Sequence, residues 1–443
     1  MKVYTFPQGG LHFTDPTAPP VGASVVAFLP VLSVIPLVQH PGAKAVPLVS
    51  GGSPVREGML IGRAQGSLSA HIHATVPGQV VRTVSWEMGE GITNEGLVIR
   101  LKGSFDQLGK AEERFPWETL TAEELKQRLI DYGIVEMEGP GHPLADRFAS
   151  WSALPEPRTL VVRCVFDDPW LVADQVLCRE RTQAVAEGSV ILGRACGASQ
   201  VVYAVSAKER KLGTMLLSEA QAYTLPSSLV LVSSRYPQRN DRELELALRS
   251  YEKQGKGEHP VQALGSLLIQ GPATLAAVRD ALVLHRPILD RYVAVGGSAV
   301  KKPQIMRVRI GTRIGDLFAE CGGFIGEVQR IILGSPFSGR RVLEKNLDGP
   351  VIKTTYALSA LSAKQTGGTV VRSCIGCGAC RTVCPVGLDP EALYKALVVF
   401  KHRYKKEKPE PGPGGSSQCH GCGCCDLVCP SRFALVNAAL RGA

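Results

Sequence analysis

The 443-residue chain reads as a multidomain α+β protein, and three observations lead there. β-Branched runs broken by Gly and Pro fill residues 1–105, as short strands joined by tight turns do. From 106 to 285 strand-like apolar runs alternate with amphipathic helical stretches, the order of a largely parallel sheet. Residues 286–356 return to short strands and glycine turns, and 357–443 carry two cysteine runs of one design.

Composition sets the frame. Forty-four per cent apolar and 20% charged residues are ordinary for a folded chain with large cores. The net charge of +10 is spread out. Its densest run, Lys401 to Lys408, suits a solvated helix end, an acidic redox partner or an anionic membrane surface. No basic stripe is interleaved with aromatics, so nucleic acid is not an expected partner. The most apolar stretch, 25–38, is interrupted by Pro30, Ser33 and Pro36 and is no membrane span. The first residues lack the apolar core of a signal peptide. Thirteen cysteines with no secretory context fit a reducing compartment. The expected location is the cytoplasm or the cytoplasmic face of the cell membrane, held peripherally.

In the first part, strands are expected over 31–38 and 76–84. The stretches 51–62 and 69–80 resemble the barrel-sandwich domains of biotinyl and lipoyl type. The hairpin that presents a modifiable lysine in those carriers is here Ala74-Thr75-Val76-Pro77-Gly78, so no swinging arm is expected. His71 and His73, two apart, share one strand face, expected to be solvated. Together with Phe6-Pro-Gln-Gly-Gly-Leu-His12 and Val38-Gln-His40-Pro-Gly-Ala43, this part resembles the amino-terminal domain of the RnfC component of Rnf electron-transport complexes. Those complexes couple electron flow between ferredoxin and NADH to ion translocation across a membrane. Cobalamin reductases of propanediol utilisation share the layout.

In the second part the spacing predicts a helix over 123–132 and buried strands at 159–166 and 201–205. The segments 168–181 and 265–277 resemble the flavin- and NADH-binding module of the respiratory complex I flavoprotein. Two motifs depart from that resemblance. The related loop runs G-x-x-G-x-G-G-A-G-F-P-T, but here Glu136 and Glu138 replace glycines and Pro140 removes an N–H; Gly139 and Gly141 remain. The related Asn-Gly-Ala-Glu-x-Glu-Pro becomes Arg163-Cys164-Val165-Phe166-Asp167-Asp168-Pro169, keeping only Asp168 and the proline. The fold is expected to persist without FMN and NADH chemistry.

The third part, with Tyr292 to Val300, Val308 to Phe318 and Gly322-Gly323, resembles the soluble-ligand-binding β-grasp domain of the same family. Its glycines are turn residues, since no Walker lysine follows in register. Cys321 is expected to be buried.

The cysteine runs read Cys374-x2-Cys377-x2-Cys380-x3-Cys384-Pro385 and Cys419-x2-Cys422-x2-Cys425-x3-Cys429-Pro430. This is the spacing of bacterial two-cluster ferredoxins, in which the fourth cysteine serves the other cluster. That resemblance implies one [4Fe–4S] cluster on Cys374, Cys377, Cys380 and Cys429, and a second on Cys419, Cys422, Cys425 and Cys384. Glycines between the cysteines leave backbone N–H groups free to face sulfides. Each Cys-Pro is expected to open a helix that leads away. Zinc prefers paired CxxC units, and disulfide frameworks belong to small secreted chains. Cys424 is spare, and His420 is a solvated or cluster-adjacent residue, not a ligand. A helix is expected over 389–404, a linker over 405–417 and a closing helix over 432–440.

Taken together, the expected function is an electron-transfer subunit of an Rnf-like membrane complex. Its two [4Fe–4S] clusters would relay electrons between a soluble carrier (ferredoxin, flavodoxin or NADH) and membrane flavin subunits, with ion translocation elsewhere. An FMN-containing NADH dehydrogenase subunit and a corrinoid reductase remain the alternatives.

Overall fold

A computed structural model describes residues 2–87, 93–106, 108, 110, 112–254, 263–342, 347–366, 371–403, 418–436 and 440. Backbone pairing sorts its strands into four sheets.

Two of these form the amino-terminal sandwich. One is antiparallel, in the order Leu32–Pro36, Thr93–Leu101, Gly78–Glu87 and Pro54–Val55. The other joins Val46–Pro47, Leu60–Arg63 and Ile72–His73. Both contribute to one apolar core, with Ile35, Leu37 and Ile99 meeting Ile61 and Ile72. His73 does not lie on a solvated face; it is buried, and His71 is half-buried. A neighbour invisible in the local sequence lies beside this strand. The Lys353 ammonium, from a distant loop, donates to the carbonyl of Gly133 at 2.8 Å and approaches that of His71 at 3.5 Å. Burial, reinforced by Lys353, depresses His40 to about 4 and His73 to about 3, so both are neutral at pH 7.

The α/β part holds four parallel strands in the order Ser227–Val232, Gln200–Ser206, Arg158–Cys164 and Ser266–Gln270. Alternate residues feed two cores, as a sheet covered on both faces requires. Leu160, Val162, Val201 and Leu229 pack beneath the helices Thr182–Cys196 and Pro272–Val283. Val161, Val202 and Val230 pack beneath Asp241–Gln254. The predicted helix is present over Ala122–Asp131, closed at its start by a Thr121–Glu124 capping box.

The third part is a six-stranded mixed sheet with the helix Ile314–Glu320 over one core, in which Cys321 is fully buried. It reaches past residue 356: Ala357–Ser362 pairs with both Asp290–Gly296 and Val328–Leu333. Alternating Ala, Leu and Ser give that strand little β signature, and burial on both sides is what holds it. Val25–Val26, from the far end of the chain, adds the opposite edge. The helix expected at 389–404 spans Pro390–Arg403. The linker at 405–417 lies outside the described residues, as does part of the closing helix at 432–440. Among the described residues no helix is long and apolar enough to cross a membrane.

Buried charge pairs tie the parts together. Arg291 of the six-stranded sheet, with no exposed side-chain surface, sits 2.6 Å from Asp174 on the helix Val172–Glu180. Arg309 pairs with Glu57 of the sandwich at 2.8 Å. Replacing Arg291→Met strands Asp174 in a dry site and is expected to cost about 3–5 kcal/mol, read from the urea midpoint. Burial lowers Lys353 to about 7, whereas the unfolded chain keeps that proton to the ordinary lysine range. The unfolded state therefore binds more protons between these limits. Wild type should gain stability relative to Lys353→Met as pH rises from about 7 to about 10, with His40, His71 and His73 already neutral.

Candidate cluster-binding site

Each cysteine run wraps into a loop that ends in a short helix, Ala379–Thr382 in one and Cys424–Val428 in the other. Both helices start at a left-handed glycine, Gly378 at φ 70° and Gly423 at φ 78°, positions where a Cβ would strain the turn. The Cys-Pro pairs do not open helices. Cys384 and Cys429 follow the short helices, and the prolines sit in turns beyond them. A proline has no N–H to continue a ladder, so here it enforces a stop.

Cys374, Cys377, Cys380 and Cys429 line one cavity, walled by Tyr394, Phe433 and Leu435. The Tyr394 and Phe433 rings lie 4.3 Å apart, closing its apolar side. The other set is also gathered. Burial raises the Cys419 thiol and the adjacent Cys422 and Cys384 sulfurs add to it; burial likewise raises Cys425, with Asp426 and Cys422 beside it. Among the described residues no three side chains of His, Cys, Asp or Glu converge on a single metal-ion position. The first set instead surrounds a cavity that includes Cys429 from the other run, and Cys384 of the first run lies beside Cys419. Soft thiolates around an apolar cavity suit an iron–sulfur cluster. The spare Cys424 is fully buried, and a hydrogen bond from it pulls Cys422 down to about 7.

The second set is docked on the α/β part through residues that local sequence does not advertise. The Tyr236 hydroxyl donates to the Cys422 carbonyl at 2.6 Å. Gly10 N–H donates to the Val383 carbonyl at 2.9 Å, and a Cβ on Gly9 would fall 2.5 Å from the Cys384 carbonyl oxygen. His420 is engaged at both ring nitrogens, by Glu243 at 3.0 Å and Asn240 at 3.1 Å, so it is a docking residue and not a ligand.

Comparison with known proteins follows the same order of parts. Family models match as an RnfC barrel sandwich hybrid domain over 8–104, a Nuo51 FMN-binding domain over 129–280, an NQRA C-terminal domain over 292–344 and a 4Fe-4S dicluster domain over 373–433. The RnfC component of the ion-translocating oxidoreductase complex of Rhodobacter capsulatus is 32% identical over 370 residues, 82% of this chain and 69% of that one. This chain belongs to the RnfC family. The Pseudomonas aeruginosa RnfC protein is also 32% identical, but the match spans only 46% of its length. The corresponding component of a proton-translocating ferredoxin:NAD(+) oxidoreductase complex of Clostridium ljungdahlii is 26% identical over 91% of this chain and 86% of its own. The chain thus carries a dicluster domain for two [4Fe–4S] clusters, the chemistry its cysteines predict.

The FMN-type domain of the RnfC family is present too, and there the residues do not fit a nucleotide phosphate. The loop folds on itself, with Val135 bridged to Pro143 and Glu136 N–H donating to the His142 carbonyl at 2.8 Å. Glu136 accepts from Gln270 at 2.6 Å and Arg147 at 2.7 Å. Glu138 accepts from Arg163 at 2.6 Å and Arg239 at 2.8 Å. Burial pushes the Glu138 carboxyl upward, but the two guanidiniums outweigh it and hold it below the usual range, so it stays charged. The two departures seen in the sequence are therefore one feature: Arg163, in place of an asparagine, is the counterion of Glu138, in place of a glycine. Asp168 is occupied as well, capping the turn Pro169–Leu171 through Trp170 N–H at 2.9 Å. Gly141 is packed against Thr354 and the Gln39 carbonyl. Glu136, Glu138, Gly139 and Pro140 all border an open groove of about 840 Å³ along the strand Ser266–Gln270.

Cys424→Ala should keep the iron content of wild type, whereas Cys425→Ala should lose up to half of it, as measured by iron and sulfide assay on anaerobically purified protein.

Proposed function

We propose that this chain is the electron-relay subunit of an Rnf-like membrane complex, passing electrons between a soluble carrier and membrane flavin subunits. Cys374, Cys377, Cys380 and Cys429 hold one cluster; Cys419, Cys422, Cys425 and Cys384 hold the other. The clusters, when bound, accept and release single electrons. The chain supplies thiolates, an apolar wall of Tyr394, Phe433 and Leu435 that excludes water, and backbone turns that fix both loops. Ion translocation lies in other subunits. The chain sits peripherally on the cytoplasmic face of the cell membrane, and its soluble carrier is ferredoxin, flavodoxin or NADH.

One observation carries the relay over its main rival. The seat that a nucleotide phosphate would need is filled by Glu138, bonded to Arg163 and Arg239. The rival, an NADH-oxidising flavin subunit, rests on the match of 129–280 to an FMN-binding domain. Anaerobic purification with clusters intact separates them. A relay should hold about eight irons per chain, no FMN, and show no bleaching by NADH while dithionite reduces it. Stoichiometric FMN with rapid bleaching by NADH would establish the rival.

A further inference from the structure

The helix Pro272–Val283 begins at Gly271 without any side-chain cap. Over that start lies the Glu138 carboxylate, close enough that a Cβ on Gly271 would overlap Oε1. The approach is held from two sides. Met137 N–H donates to Thr274 Oγ1 at 2.9 Å, pinning the loop to the first helical turn. Arg163 and Arg239 both donate through Nη2 to Oε2. Oε1 is buried and has no hydrogen-bond partner. The Nε atoms of Arg163 and Arg239 are likewise buried without partners. Arg163 Nη1 also pairs with the exposed Asp241 at 2.5 Å, so two carboxylates balance the two guanidiniums while both Nε donors stay unused. A helix N-terminus with two guanidiniums is the ordinary means of holding a tetrahedral phosphate.

We propose that this is an anion seat for a phosphate monoester in which Glu138 stands as the chain's own resident anion. The idea rests on the relay function proposed above and gives it a physical cause: the loop brings its own negative charge, so a nucleotide phosphate has neither space nor net positive charge to bind. Glu136, tied to Arg147 and Gln270, holds the loop in that position. Removing the Glu138 side chain opens the seat and leaves both arginines facing it.

The test uses the full chain with clusters intact and inorganic phosphate as probe, with chloride at equal ionic strength as control. Wild type should bind no phosphate by equilibrium dialysis and show no phosphate-dependent change in Tm. Glu138→Gly should bind one phosphate per chain, at least roughly tenfold tighter than wild type, and its Tm should climb with phosphate. Glu138→Gln keeps the volume and removes the charge. It should melt below wild type and gain nothing from phosphate, because the amide still fills the seat. The proposal is overturned if wild type binds phosphate, if Glu138→Gly binds it no better, or if Glu138→Gln is as stable as wild type. Should Glu138→Gly not fold in chloride, it should do so in phosphate; failure in both, with an undisturbed Glu138→Gln, also overturns it. Reduction by NADH through a flavin bound elsewhere would sink the relay and leave this phosphate pattern intact.

Discussion

The backbone of residues 4–31 is hydrogen-bonded in turn to every other part of the molecule. Tyr4 donates to Leu231 at the edge of the parallel sheet, Gly10 to Val383 in the first cysteine loop, and Ala27 to Arg307 in the six-stranded sheet. Val31 then accepts from Leu101 in the sandwich. Open sheet edges and loop carbonyls need partners, and one extended segment serves four of them. The parts consequently fold against each other and not as beads on a string. Buried pairs such as Arg309–Glu57 and Arg291–Asp174 are tolerable because that arrangement brings both charges together.

What could be read in the sequence follows from the range of the interactions. The cysteine spacing specifies its chemistry within a dozen residues, and parallel strands buried on both faces announce themselves as continuous Val-rich runs. The capping box at Thr121 is equally local. Long-range contacts left no such mark. His73 is held neutral by its burial and by a lysine 280 positions away, Ala357–Ser362 becomes a strand through its neighbours, and Tyr236 gains its role from Cys422. The Cys-Pro pairs show a different limit: proline suits a helix start and a helix stop equally, and only the fold chooses between them.

Glu138 and Arg163 illustrate how a lost motif can be rebuilt. Without Arg163, Glu138 would keep only Arg239, and without Glu138, Arg163 would keep only the exposed Asp241. Together with Arg239 they form a charge-assisted cluster that keeps the loop and strand ends in place. In the sequence, 25 positions apart, they look like two independent failures.

The two cluster sites differ in their surroundings. Cys374 and Cys377 are exposed, and Ile375 between them is 70% exposed. The second set is covered by Tyr236, Gly9 and the His420–Glu243 pair. Solvent access and hydrogen bonds to sulfur govern reduction potential, so the two centres are inequivalent by construction. One set of thiols thus looks outward, and the other lies under the α/β part.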